Sequence, residues 1–414
     1  MRTIGLNLAA ALLAIAAASP ALASGNKPAA SSANCENTGS FEAWAADFKK
    51  EAIEKGVSSK VVAAAARDFE LDPNVIKRDR NQSVFSQSFL QFQQRMISEN
   101  RMRKGKEQLQ KNAALFAKIE KDFGVPPVVL TSFWGLESDF GAITGNFRLI
   151  KSLATLAYDC RRSAFFRAEL IDALRIVQRG DQTIEGMNGN WAGEFGALQI
   201  TASDSFANAI DYDGDGRRDI IHSTPDTLAS AANFLRSLGW QRGQPWLQEV
   251  RVPAEMPWQD ADLEIQHPVS KWAALGVKPA YGKLPDGKMH ASLLLPMGRL
   301  GPAFLAYPNF RAFLGWNSAM VYSTTAAYFA TRLDGAPPVG RGNGEVNVLT
   351  PQQISELQRA LLARGYEIGE VDGKFGALTR KATKEMQIKF GLPADSYPTV
   401  ELIEKLRVQT TGNR

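Results

Sequence analysis

Residues 133–141, FWGLESDFG, put a carboxylate where a folded chain tolerates one only on special terms. Pro126 and Pro127 open the segment, and proline is accepted in the first turn of a helix. On that helix Leu130, Phe133, Trp134 and Glu137 recur at i, i+3, i+4 and i+7, so the carboxylate shares a face with apolar side chains. A carboxylate there is costly unless it is paired or protonated. Two readings follow: a group that caps or pairs inside a core, or one whose pKa is raised by desolvation into the range a general acid needs. The helix alone does not separate them.

The rest of the chain is patterned mainly for helix. From Phe41 to about Phe123 long polar–apolar segments follow one another, including residues 89–124, with Gly56 and Gly124 where helices should stop. Helices with loops between them continue over residues 126–240. Near Trp240 the character changes. Seven prolines between 245 and 300 and the short runs EVRVP, LEIQHP and ASLLLP indicate a small β-containing subdomain at about 241–302. Helix returns over residues 303–333. Residues 334–347, DGAPPVGRGNGEVN, read as a linker, and residues 348–408 as a last, helical domain. With 414 residues and 44% hydrophobic content, the chain can bury a substantial core in two or three domains.

Residues 1–23 read as a secretory leader: Arg2, an apolar run over 6–18, then a small-x-small site at 21–23. That run is short for a membrane span, and no cysteine stands directly after it, so a soluble exported protein is expected rather than a lipoprotein. Residues 24–40 read as a flexible arm. Removing Arg2 with the leader takes the formal net charge from +5 to +4. The scattered basic residues form no stripe, which argues against nucleic acid. The two cysteines, Cys35 and Cys160, are expected as a disulfide tying the arm to the region after Glu137.

Three further stretches carry chemistry. In GEFGALQITAS, residues 193–203, glycines permit close backbone approach and Gln199 offers an amide to a sugar or acetamido group. In DYDGDGRRD, residues 211–219, Asp211, Asp213 and Asp215 take the first, third and fifth places of an EF-hand-like loop, with Gly216 sixth and the carbonyl of Arg217 seventh. His222 stands at the twelfth, so Asp226 is expected to close the shell, with Asp219 as rival. WNSAMVY, residues 316–322, supplies Asn317 and Tyr322 as packing or cleft residues. Three histidines, no GxSxG and no HExxH leave little room for a nucleophilic triad or a zinc site.

Taken in order, WGLESDFG, SLATLAYDCRRSAFFRAEL, WAGEFGALQ, DYDGDGRRD and AANFLRSLGW resemble the B-type lytic murein transglycosylases over roughly residues 37–332. The segment DGKFGALTRKATKEMQ resembles the type 1 peptidoglycan-binding domain. The resemblance implies a mainly α chain: a lysozyme-like helical catalytic domain at 41–333 with its small β-containing subdomain, and a small three-helix C-terminal domain. It implies a periplasmic enzyme that cleaves peptidoglycan between N-acetylmuramic acid and N-acetylglucosamine and leaves a 1,6-anhydro end. Glu137 would be the single acid and then base, since ordinary glycosidases use two carboxylates and only Asp139 is otherwise near in sequence. Arg161, Arg162, Gln199, Asn317 and Tyr322 would contact the glycan. Asp211, Asp213, Asp215, Arg217 and Asp226 would hold a structural calcium or sodium ion, with no cofactor needed for the chemistry. Here Ile200-Thr201-Ala202-Ser203 replaces the family's Phe-x-Pro-Ser, Asn190 stands near a family serine, and Trp316 stands where tyrosine is common. A hydrolytic muramidase and a catalytically silent peptidoglycan-binding scaffold are the alternative readings.

Overall fold

Serine and threonine side chains cap several of the helix starts. The structure, a computed structural model, describes residue 37, residues 39–80 and residues 87–411. The expected leader, most of the expected arm and Cys35 lie outside them. Helices α1 (Phe41–Glu54) and α2 (Ser59–Ala64) begin at Ser40 and Ser58, whose hydroxyls accept from backbone N–H groups three residues on. After α3 (Pro73–Arg80), the stretch 89–124 is not one long helix but three. A capping box at Ser88 and Gln91 opens α4 (Phe89–Met96), and Ser98 caps α5 (Glu99–Lys111). Helix α6 (Ala113–Phe123) stops at Gly124, whose φ of +75° suits the left-handed C-cap. Polar caps inside an otherwise helical pattern are what divides it.

Helix α7 (Pro127–Ser138) is the buried centre, packed by α5 and α6 and by two later helices, residues 224–237 and 320–333. It leads through β1 (Phe147–Arg148) to α8 (Leu149–Tyr158) and α9 (Ser163–Arg179). β2 (Asn188–Gly189) pairs antiparallel with β1, and α10 (Ala202–Asn208) and α11 (Thr224–Ser237) follow. The second layer is a five-stranded sheet with strand order β4-β6-β7-β3-β5. It is built from β3 (Leu247–Arg251), β4 (His267–Pro268), β5 (Lys278–Pro279), β6 (His290–Leu294) and β7 (Ala303–Ala306), with α12 (Val269–Ala274) between β4 and β5. β7 corrects the expectation that residues 303–333 are helical. AFLA is a short apolar run, which periodicity cannot assign, and it pairs with both β3 and β6. Trp258, Trp272, Leu293 and Leu305 give the sheet its own core.

Helices α13 (Phe310–Trp316) and α14 (Met320–Leu333) return to the main core. The C-terminal domain is α15 (Pro351–Leu362), α16 (Ala377–Lys389) and α17 (Val400–Thr411), around a separate core of Leu357, Leu361, Met386 and Leu402. It is docked on the sheet subdomain: Lys384 Nζ lies 2.6 Å from Asp262, Arg299 N donates to Asp395 at 2.9 Å, and half-buried Arg380 donates to the carbonyls of Leu295 and Pro296. No helix among the described residues is long and apolar enough to cross a membrane.

Candidate functional site

Leu130, Phe133 and Trp134 are buried on α7, and Glu137, the penultimate residue of the helix, is half-buried. The chain reverses directly after it, with Asp139 and Phe140 at φ of +51° and +64°. The returning Phe140 ring packs against Gly135, where a Cβ would lie 2.8 Å from it, so the glycine is required for close approach. Phe133 stacks on Trp316 at 4.2 Å between centroids.

Glu137 Oε1 accepts two hydrogen bonds, one from Trp316 Nε1 at 3.0 Å and one from the Tyr322 hydroxyl. Burial, then the neighbouring Glu137 charge, push the Tyr322 phenol well above its usual pKa, so it remains a donor. Two donors on one oxygen make Oε1 the carbonyl-like atom and Oε2 the one that carries the proton in the acid form. Asp139 plays no such part. Lys104 at 2.6 Å, with Arg101 beside it at 3.4 Å, holds its carboxyl below the usual range, on the α5 side of the helix.

Gln199 has φ of +46° and an amide orientation set by its partners. Nε2 donates to two backbone carbonyls, Thr144 O at 2.9 Å and Gly196 O at 2.8 Å, while Oε1 accepts from Asn190 Nδ2 at 3.2 Å. Carbonyls only accept, so both amide hydrogens of Gln199 are committed and it meets a ligand as an acceptor. Asn190 is placed in the same way: its Oδ1 accepts from Ala192 N and Glu194 N, and its Nδ2 also donates to Glu194 at 2.8 Å. Glu194 is a second half-buried carboxylate that sequence reasoning missed. The 200–203 departure turns inward. Ile200 and Ala202 are buried, Thr201 caps α10, and Ser203 donates through Oγ to buried Glu169 at 2.7 Å.

Arg161 and Arg162 converge on Asp79 of α3. Arg161 Nε donates to it at 2.7 Å and Arg162 Nη2 at 3.0 Å, and Arg80 adds a third contact at 2.8 Å. Burial opposes the charge of Asp79, but these guanidiniums outweigh it and hold the carboxyl below its usual range. Arg162 also lies 4.7 Å over the Phe166 ring. Asn37 fastens this turn by donating to Ala157 O, Tyr158 O and Ser163 Oγ. Cys160, in the same turn, is disulfide-bonded; the Cys35 half of the expected pair lies outside the described residues. Asn317 caps the end of α13, its Oδ1 accepting from Ala319 N at 3.0 Å.

In the acidic loop, oxygens of Asp211, Asp213 and Asp226 lie within 4.8 Å of one another. Three converging carboxylate oxygens suit a hard cation. Asp226 is fully buried and also accepts from Tyr212 N, Asp213 N and Asp219 N, so it organises the loop as well. Asp215 is outside this trio; it is exposed and accepts from Arg217 N at 2.8 Å. The Arg217 side chain turns to Asp181 O. The rival Asp219 is saturated by Gln182 and the backbone and ring of His222.

Residues 40–331 match the Transglycosylase SLT domain and residues 350–406 the putative peptidoglycan binding domain. The chain is similar to SltB3 of Pseudomonas aeruginosa, solved in complex with NAG-anhNAM-pentapeptide, at 39% identity and a TM-score of 0.82, covering 89% of this chain and 100% of that one. It shares its fold with the Escherichia coli lytic transglycosylase Slt35, solved in complex with calcium, at 22% identity and a TM-score of 0.61 over 70% of this chain and 92% of the other. Membrane-bound lytic murein transglycosylase B of E. coli strain K12 is 28% identical over 204 residues, 49% of this chain and 55% of that relative, so the chain spans about half that protein's length.

Proposed function

The chain belongs to the SLT transglycosylase family, and from that premise we propose that it cleaves the β-1,4 bond between N-acetylmuramic acid and N-acetylglucosamine in peptidoglycan without consuming water. The observation that carries this is the pair of donors on Glu137 Oε1. Oε2 protonates the glycosidic oxygen as the bond breaks. The acetamido oxygen of the muramic acid closes on C1 and bears the positive charge. Gln199 Oε1 accepts the acetamido N–H and so directs the acetamido oxygen toward C1. The Glu137 carboxylate then takes the proton of the C6 hydroxyl, whose oxygen attacks C1 to close the 1,6-anhydro ring. Glu137 ends protonated, and no base beyond it is needed. Catalysis of this kind contributes roughly 100- to 10,000-fold.

Arg161 and Arg162, presented by Asp79, suit the carboxylates of the peptide stems, and the C-terminal domain adds a second hold on the polymer. Asp211, Asp213 and Asp226 would hold a cation that stiffens the loop and takes no part in the chemistry. The leader-like first residues support export to the periplasm.

Mass spectrometry of digested sacculi tests the reaction. Anhydro ends are expected; reducing ends, one water heavier, would make the protein a hydrolase. Glu137→Gln should release no product while keeping the wild-type melting temperature, and normal lysis by that variant removes the assignment.

A further inference from the structure

Glu194 is unused by the mechanism above, yet it belongs to the same hydrogen-bonded unit. Asn190 Nδ2 bridges it to Gln199 Oε1, at 2.8 Å and 3.2 Å. Asn190 cannot turn over, because its Oδ1 is held by the backbone N–H groups of Ala192 and Glu194. Gln199 cannot turn over either, because its Nε2 faces the carbonyls of Thr144 and Gly196. The order carboxylate, amide, amide therefore runs in one direction only and ends at the acceptor that faces the reacting sugar.

We propose that Glu194 is a positioning residue that acts through Asn190 to keep Gln199 an acceptor, and that its negative charge favours the cationic sugar intermediate over the neutral substrate. This rests on the lytic transglycosylase reading. When the acetamido oxygen closes on C1, the acetamido nitrogen becomes a cationic N–H donor. A site that only accepts at that nitrogen, with an anion one amide behind it, binds the cation better than the neutral ground state, and that difference accelerates the step. The charge of Glu194 is also felt on both sides of the cleft, adding to the upward push on the Tyr322 phenol and working against the burial that lowers Arg162. Asp139, two residues from Glu137, is instead paired with Lys104 and Arg101 of α5.

Glu194→Gln tests the charge while keeping shape and an acceptor for Asn190. With product ends checked by mass spectrometry, kcat is expected to fall roughly ten- to a hundredfold with KM within about twofold, the size of a single charge acting over several ångströms in a half-buried site. Calorimetry then compares a protonated iminosugar analogue of N-acetylmuramic acid with N-acetylglucosaminyl-N-acetylmuramic acid, both amidated at the lactyl carboxyl so that the first is a cation and the second is neutral. The variant should lose affinity for the charged ligand by at least tenfold and keep it for the neutral one. Loss of both ligands, or of neither, overturns the inference. Asn190→Ala should reproduce the kcat loss, since it breaks the bridge while leaving Glu194 in place; full activity in that variant rejects action through Asn190. Reducing ends from the wild-type enzyme would overturn the transglycosylase reading instead, and the calorimetric comparison distinguishes that failure from this one.

Discussion

Tyr322→Phe removes one oxygen atom from a fully packed ring and leaves Glu137 Oε1 with Trp316 as its donor from α13. A hydrogen bond to a charged acceptor contributes about 1.5–3 kcal/mol. In the proposed mechanism Glu137 becomes a carboxylate as it gives up its proton, so the tyrosine bond strengthens along the first step and its loss falls on the barrier. At 1.36 kcal/mol per tenfold, the fall in kcat should be roughly 10- to 150-fold, with KM little changed. The pH dependence has a definite sign. The tyrosine donor favours the charged form of Glu137, so its removal favours the protonated form. The alkaline limb of kcat/KM, which reports deprotonation of the acid in free enzyme, should move to higher pH. Tyr322 supplies no limb of its own, because burial and the Glu137 charge push its titration well above the ordinary phenol value. The assay is release of soluble muropeptides across pH, with a melting curve at each pH. A variant with kcat within threefold of wild type, or an alkaline limb that stays put or moves down, would refute the argument that Oε1 is the acceptor-only oxygen.

Asp79→Ala leaves two largely buried guanidiniums facing a void and should cost about 3 kcal/mol of stability by denaturant unfolding, in line with breaking a buried ion pair. Because the Asp79 carboxyl is held below its usual value, its contribution is present above about pH 4 and is lost as pH falls through the lower folded value. The gap in melting temperature between wild type and Asp79→Asn should therefore narrow below that pH. Calcium should raise the melting temperature, by about 2.7 kcal/mol of stability at a hundred times its Kd. Chelation should reverse the effect, and Asp226→Asn should abolish it.

What was legible in the sequence was local. Gly124 sets a helix end through atoms at most a few residues away, and the shared burial of Leu130, Phe133 and Trp134 follows from their spacing, although α7 is buried on nearly every side. What was not legible depends on separation. Trp316 and Tyr322 stand 179 and 185 residues from the carboxylate they hold, and Asp79 stands 82 residues before Arg161. Nothing in the periodicity of α3 marks one of its charged residues as buried. Glu194 was passed over because WAGEFGALQ reads as a loop with one useful amide; only the committed hydrogens of Gln199 and Asn190 give the carboxylate before it a direction. Residues 200–203, which sequence comparison turns into a question about the sugar-facing wall, are a satisfied helix start facing the core.

The stretch 334–347 carries this point furthest. Pro337, Pro338 and four glycines read as a tether, and a tether would leave the C-terminal domain free, its effective concentration at the cleft set by linker length. The segment is instead fastened along its course. Val339 N donates to the Tyr328 hydroxyl at 2.7 Å, Gly340 N to Glu249 at 2.8 Å, Asn343 Nδ2 to Val252 O at 3.0 Å and Gly344 N to Leu300 O at 3.0 Å. Gly342, at φ of +90°, passes so close to Gly301 that a Cβ would lie 2.2 Å from its carbonyl carbon. The glycine content that reads as flexibility is here a condition for contact. Fastened by this strap and by the Lys384–Asp262 and Arg299–Asp395 contacts, the C-terminal domain keeps a defined direction relative to Glu137. The distance between the C-terminal domain and Glu137 is then set by packing against the sheet rather than by chain statistics.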